Sequence, residues 1–224
     1  MIELVVFDMA GTTVRDQDDV GACFRATLAA AGVAVDVAAA DAVMGLPKPE
    51  AIRRMLTGVG RSDLLADVDR IHADFVGRMR HHYTTHPGVG EVPGAAAVFA
   101  ELRRAGVKVA LNTGFSRAVT QALLDRLGWS GSPPAVDASV CSDEVPRGRP
   151  YPDMVWHLMR QLGVSDARNV AKVGDTPVDL EEGTSAGCGL VIGVTSGRGR
   201  REQLLAAPHT HLVASVVDVP RLCL

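Results

Sequence analysis

Four short stretches bring chemistry-bearing residues to positions where a ligand could meet them. VVFDMAGTTV (5–14) ends an apolar run on Asp8, with Ala10 two positions later. NTG (112–114) ends another run on Thr113 and Gly114. GDTPVD (174–179) carries Asp175 and, four residues on, Asp179, and RGRPYP (147–152) carries Arg149. Taken singly, each has a structural reading. Asp8 could cap a turn, and Thr113-Gly114 could be an ordinary strand-to-helix loop. In GDTPVD, Asp175 or Thr176 could cap a helix with Pro177 in its first turn. Lysine adds a fifth candidate. The chain has only three, Lys48, Lys108 and Lys172, against twenty arginines.

The elements that would position these residues follow from hydrophobic patterning. Residues 2–7 (IELVVF) read as a buried strand, short and not alternating. Similar runs recur at 107–112, 136–141, 169–174, 189–194 and 211–214. Helical patterns at 93–106, 116–128, 151–163 and 177–187 separate the later runs, and Ser116 is a cap candidate for the second of them. The alternation predicts an α/β fold with a doubly wound, Rossmann-like parallel sheet. In such sheets ligands bind beyond the carboxyl ends of the strands, where Asp8, Thr113-Gly114 and Asp175 fall.

Residues 15–92 break the rhythm. DVGACFRATLAAAG, VAAADAVMG, KPEAIRRMLTG and RSDLLADVDRIHADFVGRMRHHY all suit helices. The expectation is an α/β core of residues 1–14 and 93–224 with an inserted helical cap of residues 15–92. PGVGEVPG (87–94) is the expected return hinge.

Composition excludes several classes. A net charge of −3 offers no nucleic-acid footprint. No apolar run reaches the ~18 residues of a membrane span. The N-terminus enters a strand directly, without a signal-peptide pattern. Four cysteines without a CxxC pair read as free thiols of a cytoplasmic protein.

In their order and strand-end context, the four motifs resemble those of the haloacid dehalogenase superfamily of phosphotransferases, over nearly the whole chain. The resemblance implies that Asp8 is a nucleophile forming an aspartyl-phosphate. Thr113, Gly114 and Arg149 would hold phosphoryl oxygens. Mg²⁺ would be bound by Asp8, the Ala10 carbonyl and Asp175, with Asp179 as support or alternative ligand. A hard cation on oxygen ligands offsets the repulsion between a carboxylate and a phosphoryl dianion.

Ala10 narrows the resemblance. Most phosphatases of the superfamily carry there a second aspartate, which protonates the leaving alkoxide. DMAGTT, the arginine of GRPYP, GDTxxD and Lys48 in MGLPK together resemble the phosphonoacetaldehyde hydrolase (phosphonatase) family. That resemblance implies a small organophosphonate substrate, a Schiff base on Lys48 and cleavage of a C–P bond. The iminium accepts the C–P electrons, so no alkoxide needs a proton. Met44 is expected at the pocket wall, with Cys23 as a further candidate, and the family's habit of pairing through caps implies a homodimer. Two positions depart from the family: Ala51 stands where it has histidine, and Phe115 where it has tyrosine. The competing functions are a phosphomonoesterase acting on a small ester and a non-catalytic relative.

Overall fold

The computed structural model describes residues 1–199 and 201–224. Among these, six strands form one sheet in the order β3-β2-β1-β4-β5-β6: β1 (Leu4–Asp8), β2 (Lys108–Thr113), β3 (Ala138–Cys141), β4 (Val170–Gly174), β5 (Leu190–Val194) and β6 (His211–Val213). Every neighbouring pair is parallel. Buried on both faces, the central strands need no polar alternation, which is why they read as continuous apolar runs.

Among the described residues, four helices fall within 15–92: α1 (Asp19–Ala30), α2 (Val37–Asp41), α3 (Lys48–Gly58) and α4 (Val68–Thr85). Helices α5 (Ala95–Arg104), α6 (Arg117–Arg126), α7 (Asp153–Leu162), α8 (Pro177–Ala186), α9 (Arg201–Ala206) and α10 (Pro220–Cys223) alternate with or follow the remaining strands. The stretch 61–83, expected as one long helix, is a 3₁₀ segment over Ser62–Asp67 followed by α4. Of 37–45, only Val37–Asp41 is α-helical, with Asp36 capping it through a 2.7 Å bond from the Ala39 amide. Ser116 does sit at the start of α6, but its hydroxyl does not cap; the Asp143 carboxylate accepts from the Arg117 amide instead.

Two features aim the sheet at a ligand. Register pairs Asp8 with Asn112 and Phe7 with Val173, so β1, β2 and β4 end side by side. The strand order also reverses at β1, which lies between β2 and β4, the topological switch point of such sheets. The chain leaves and returns beside the same place. The Arg15 amide donates to Gly90 and the Val92 amide to Thr13, so the outgoing and returning segments of the helical insertion run as a pair. The insertion and the sheet share one hydrophobic cluster: Phe24 stacks on Phe75 within the insertion, and Tyr83 of α4 meets Phe115 of the sheet side edge-on.

Candidate active site

Asp8 closes β1 with its side chain buried at the strand's carboxyl end. Beyond it the chain turns sharply, and Gly11 adopts φ +93°, where a Cβ would stand 2.2 Å from Asp175 Oδ2. Only glycine brings the backbone this close to the second carboxylate. Asp175 follows β4 and accepts from the Thr12 hydroxyl at 3.0 Å and from the Arg198 amide at 2.7 Å. Asp179 lies in the first turn of α8, where Thr176 is the N-cap and Pro177 opens the helix. Oxygens of Asp8, Asp175 and Asp179 lie within 4.8 Å of one another, all three residues buried.

Three buried carboxylates this close repel, and the surroundings divide them. Burial, aided by the charges of Asp8 and Asp179, pushes Asp175 up to about 8. Burial also raises Asp8, against the pull of Arg149. For Asp179 burial acts upward too, but Arg149 and Lys172 outweigh it and its carboxyl is lowered. A set of oxygen donors with two carboxyls held above their ordinary range is chemistry that a hard divalent cation fits, because it would favour both carboxylates in their ionised forms. Asp179 is the least free of the three. One oxygen faces Lys172 at 2.8 Å and Arg149 at 3.0 Å; the other accepts from the Thr176 hydroxyl at 2.6 Å.

Arg149 is buried, and each guanidinium nitrogen lies within 3.1 Å of a protein acceptor. Nη1 reaches Asp8 at 2.7 Å and Asp179 at 3.0 Å, Nε reaches Glu182 at 3.1 Å, and Nη2 donates to the Asn112 carbonyl and side chain. The sequence reading makes Arg149 a binder of phosphoryl oxygens. In this structure the guanidinium orients the Asp8 carboxylate, and a phosphoryl oxygen would share Nη1 with it.

Lys48 opens α3 and lies 5% exposed. Among the described residues its Nζ has no hydrogen-bond acceptor. It sits instead 4.8 Å from the ring centroid of Phe115 and 5.5 Å from that of Phe24. Burial lowers its pKa to about 8, with Asp8 pulling upward and Arg149 adding to the downward shift. Phe115, which takes the place of a tyrosine, thus supplies a ring face to the amine. Ala51, in place of a histidine, is fully buried one turn along α3.

One small cavity joins these groups. Its wall includes Asp8, Ala10, Met44, Lys48, Thr113, Gly114, Arg149 and Asp175, so nearly all the expected site residues meet there. Asp179 stands behind the wall, and Cys23 packs elsewhere with its thiol against the Phe75 carbonyl. The free space is about 20 Å³, little more than a single water needs. The segment from Met44 to Lys48 closes it from the insertion side, and glycine stands at each close approach. A Cβ on Gly45 would meet the Thr176 hydroxyl at 2.4 Å, one on Gly114 the Leu46 carbonyl at 2.5 Å, and one on Gly148 the Pro47 ring at 2.5 Å.

Sequence reasoning missed the second half of this site. Lys172, central in β4, ion-pairs with Asp179 and with Glu182, and Asn112 holds Glu182 and Lys172 through its amide. A lysine inside an apolar strand was the available signal. Asp16, Thr176 and Arg198 also line the cavity. Arg198 reaches across to the insertion, pairing with Asp18 at 3.0 Å and with Asp41.

The family model for haloacid dehalogenase-like hydrolases matches residues 2–187. The chain belongs to that family. Within it, the chain is phosphonatase-like. It is 34% identical over 211 residues to a phosphonoacetaldehyde hydrolase of Hahella chejuensis, covering 88% of this chain and 69% of that one. A phosphonoacetaldehyde hydrolase of Bacteroides fragilis is 28% identical over 97% of this chain and 87% of its own. Among solved structures, a phosphonoacetaldehyde hydrolase-like protein from Oleispira antarctica superposes with a TM-score of 0.87 at 26% identity, over 99% of this chain and 91% of that one. CbbY from Rhodobacter sphaeroides, in complex with phosphate, shares the fold at a TM-score of 0.81 and 23% identity, over 98% of this chain and 96% of that one.

Proposed function

We propose that this hydrolase cleaves the C–P bond of phosphonoacetaldehyde or a close 2-oxo-phosphonate. The observation that carries the reading is the Lys48 amine: buried, without a hydrogen-bond acceptor among the described residues, and facing the same cavity as Asp8. An amine lowered to about 8 has a substantial neutral fraction near neutrality, as a Schiff-base nucleophile requires. The names of its relatives support the same substrate class.

Lys48 Nζ adds to the aldehyde carbon, and loss of water gives an iminium. Asp8, oriented by Arg149, attacks phosphorus. As the O–P bond forms, the C–P pair moves toward the iminium and leaves an enamine on Lys48. The enamine carbon takes a proton, water hydrolyses the resulting imine, and acetaldehyde departs. A second water releases phosphate from Asp8. Thr113, whose Oγ1 accepts from the Phe115 amide, keeps its hydroxyl hydrogen for a phosphoryl oxygen. Asp8, Asp175 and the Ala10 carbonyl would hold Mg²⁺, which when bound offsets charge between carboxylate and phosphoryl group. Residues 15–92 act as a cap that opens to admit substrate and closes to exclude water. A homodimer and a cytoplasmic location belong to the same reading.

Incubation with phosphonoacetaldehyde and Mg²⁺, then borohydride and peptide mass analysis, tests it. A reduced adduct on Lys48 with phosphate release is expected. Hydrolysis of phosphate esters that survives Lys48→Ala, without C–P cleavage, would replace this reading with a phosphomonoesterase.

A further inference from the structure

The imine route needs a group that carries protons between nitrogen and oxygen, and the residues at the obvious places cannot. Ala10 and Ala51 have no polar side chain, and Phe115 has no hydroxyl. Asp8 is tied to Arg149, and Asp175 to Thr12 and the Arg198 amide. One further carboxylate lines the cavity among the described residues: Asp16, in the segment that leads from β1 into α1. It is partly exposed, and its Oδ1 takes a 3.3 Å bond from the Val20 amide in the first turn of α1. Among the described residues, no side-chain cation forms a direct ion pair with it.

We propose that Asp16 is the proton carrier for Schiff-base formation on Lys48, an assignment that rests on the phosphonatase reading above. The Asp16 carboxylate takes a proton from the Lys48 ammonium, freeing the nitrogen lone pair. As the N–C bond forms and the carbonyl π pair moves to oxygen, the Asp16 acid protonates that oxygen. It then takes a second proton from nitrogen and hands it to the hydroxyl. The hydroxyl leaves as water while the nitrogen lone pair forms C=N. The sum is an ammonium and an aldehyde giving an iminium and water, with Asp16 unchanged.

The surroundings suit the transfer. Burial raises the Asp16 carboxyl while it lowers the Lys48 ammonium, so the two proton affinities approach each other. The charged and titratable groups acting on this pair among the described residues are Arg198 from the loop after β5, Asp19 and Cys23 of α1, His72 and Tyr83 of α4, and Asp8 and Arg149 across the cavity.

A purely structural Asp16 would do no more than hold the start of α1, and the substitution is chosen to separate the roles. Asparagine accepts from the Val20 amide as aspartate does, but carries no exchangeable acid. With phosphonoacetaldehyde and Mg²⁺, rapid quenching into borohydride times adduct formation on Lys48. Asp16→Asn is expected to keep its Tm and to form the adduct about 10²- to 10⁴-fold more slowly. Adduct formation at the wild-type rate in Asp16→Asn overturns the assignment while leaving the Lys48 route intact. If the wild type itself forms no adduct and releases no phosphate, the phosphonatase reading fails and this assignment with it. Should Asp16→Asn not fold, Asp16→Ser, also an acceptor at the start of a helix, is read by the same two outcomes.

Discussion

At the scale of single residues, the site is governed by how burial treats charge. Lys48 shows both consequences. Its folded pKa of about 8 lies below the unfolded value of 10.5, so between these pH values the unfolded chain binds more protons and stability rises with pH. Below pH 8 the amine is charged in both states, and the cost of burying it, on the order of 3 kcal/mol, is present in full. Lys48→Met should therefore raise Tm by several degrees at pH 7, with the gain shrinking as pH climbs from 8 to 10.5. Calorimetry across that range checks it. The same variant, and Lys48→Arg, should lose C–P cleavage entirely. Lys172 presents the opposite case: its ammonium holds Asp179 and Glu182 in the interior. Lys172→Met would leave Arg149 as the one cation shared by these two buried carboxylates among the described residues, and should cost about 3–5 kcal/mol in a urea denaturation experiment. The strand-end acids and Lys48 could be read from sequence because motifs of fixed local spacing carry them. Lys172, Asn112 and Glu182 could not. Their partners lie 60 and 70 positions apart in the Asn112 bonds, and an apolar strand reveals nothing about which side chains its lysine will face.

At the scale of elements, positions of strands were legible and details at the ends of helices were not. All six apolar runs became strands because a sheet covered on both faces imposes one simple requirement, a short continuous run of β-forming residues. The insertion imposes less. Its Ala-rich stretches satisfy helix and turn alike, so 37–45 yields only one short helix, and Ser62–Asp67 tightens into 3₁₀ geometry. The consequential element for function is the non-helical segment 44–47, which places Lys48 over Phe115 by passing within contact distance of core loops at three glycines. Gly114→Ala tests that close approach. Its added methyl would stand 2.5 Å from the Leu46 carbonyl, too close for the segment to seat. The variant should lose at least tenfold in kcat/KM while Tm falls by no more than a few degrees, since the methyl meets the Leu46 main chain and not the side chains of the shared cluster. Steady-state kinetics and calorimetry on the same preparation give both values.

At the scale of the whole molecule, the cavity's small volume sets the requirement for motion. About 20 Å³ admits water and not an aldehyde bearing a phosphono group, so turnover of the proposed substrate requires the insertion to part from the carboxyl ends of the strands and return. The paired segments at 13–15 and 90–92 join the insertion to the core, and Arg198 adds a further tie through Asp18 and Asp41. Arg198 is partly exposed, so its pairs with Asp18 and Asp41 are worth about 1 kcal/mol or less each and weaken with salt. A tie of that size suits a closure that must be reversed at every turnover. Closure also creates the low dielectric that keeps the Lys48 amine near 8; in an open molecule water restores the ammonium toward 10.5. Loosening the tie should therefore register at an amine that Arg198 does not itself touch. In Arg198→Gln, whose main-chain amide still serves Asp175, the rising limb of kcat/KM against pH should move above its wild-type position near 8, and added salt should move the wild-type limb the same way. An unmoved limb in both experiments would mean that Lys48 is desolvated by its own aromatic neighbours alone, whatever the insertion does.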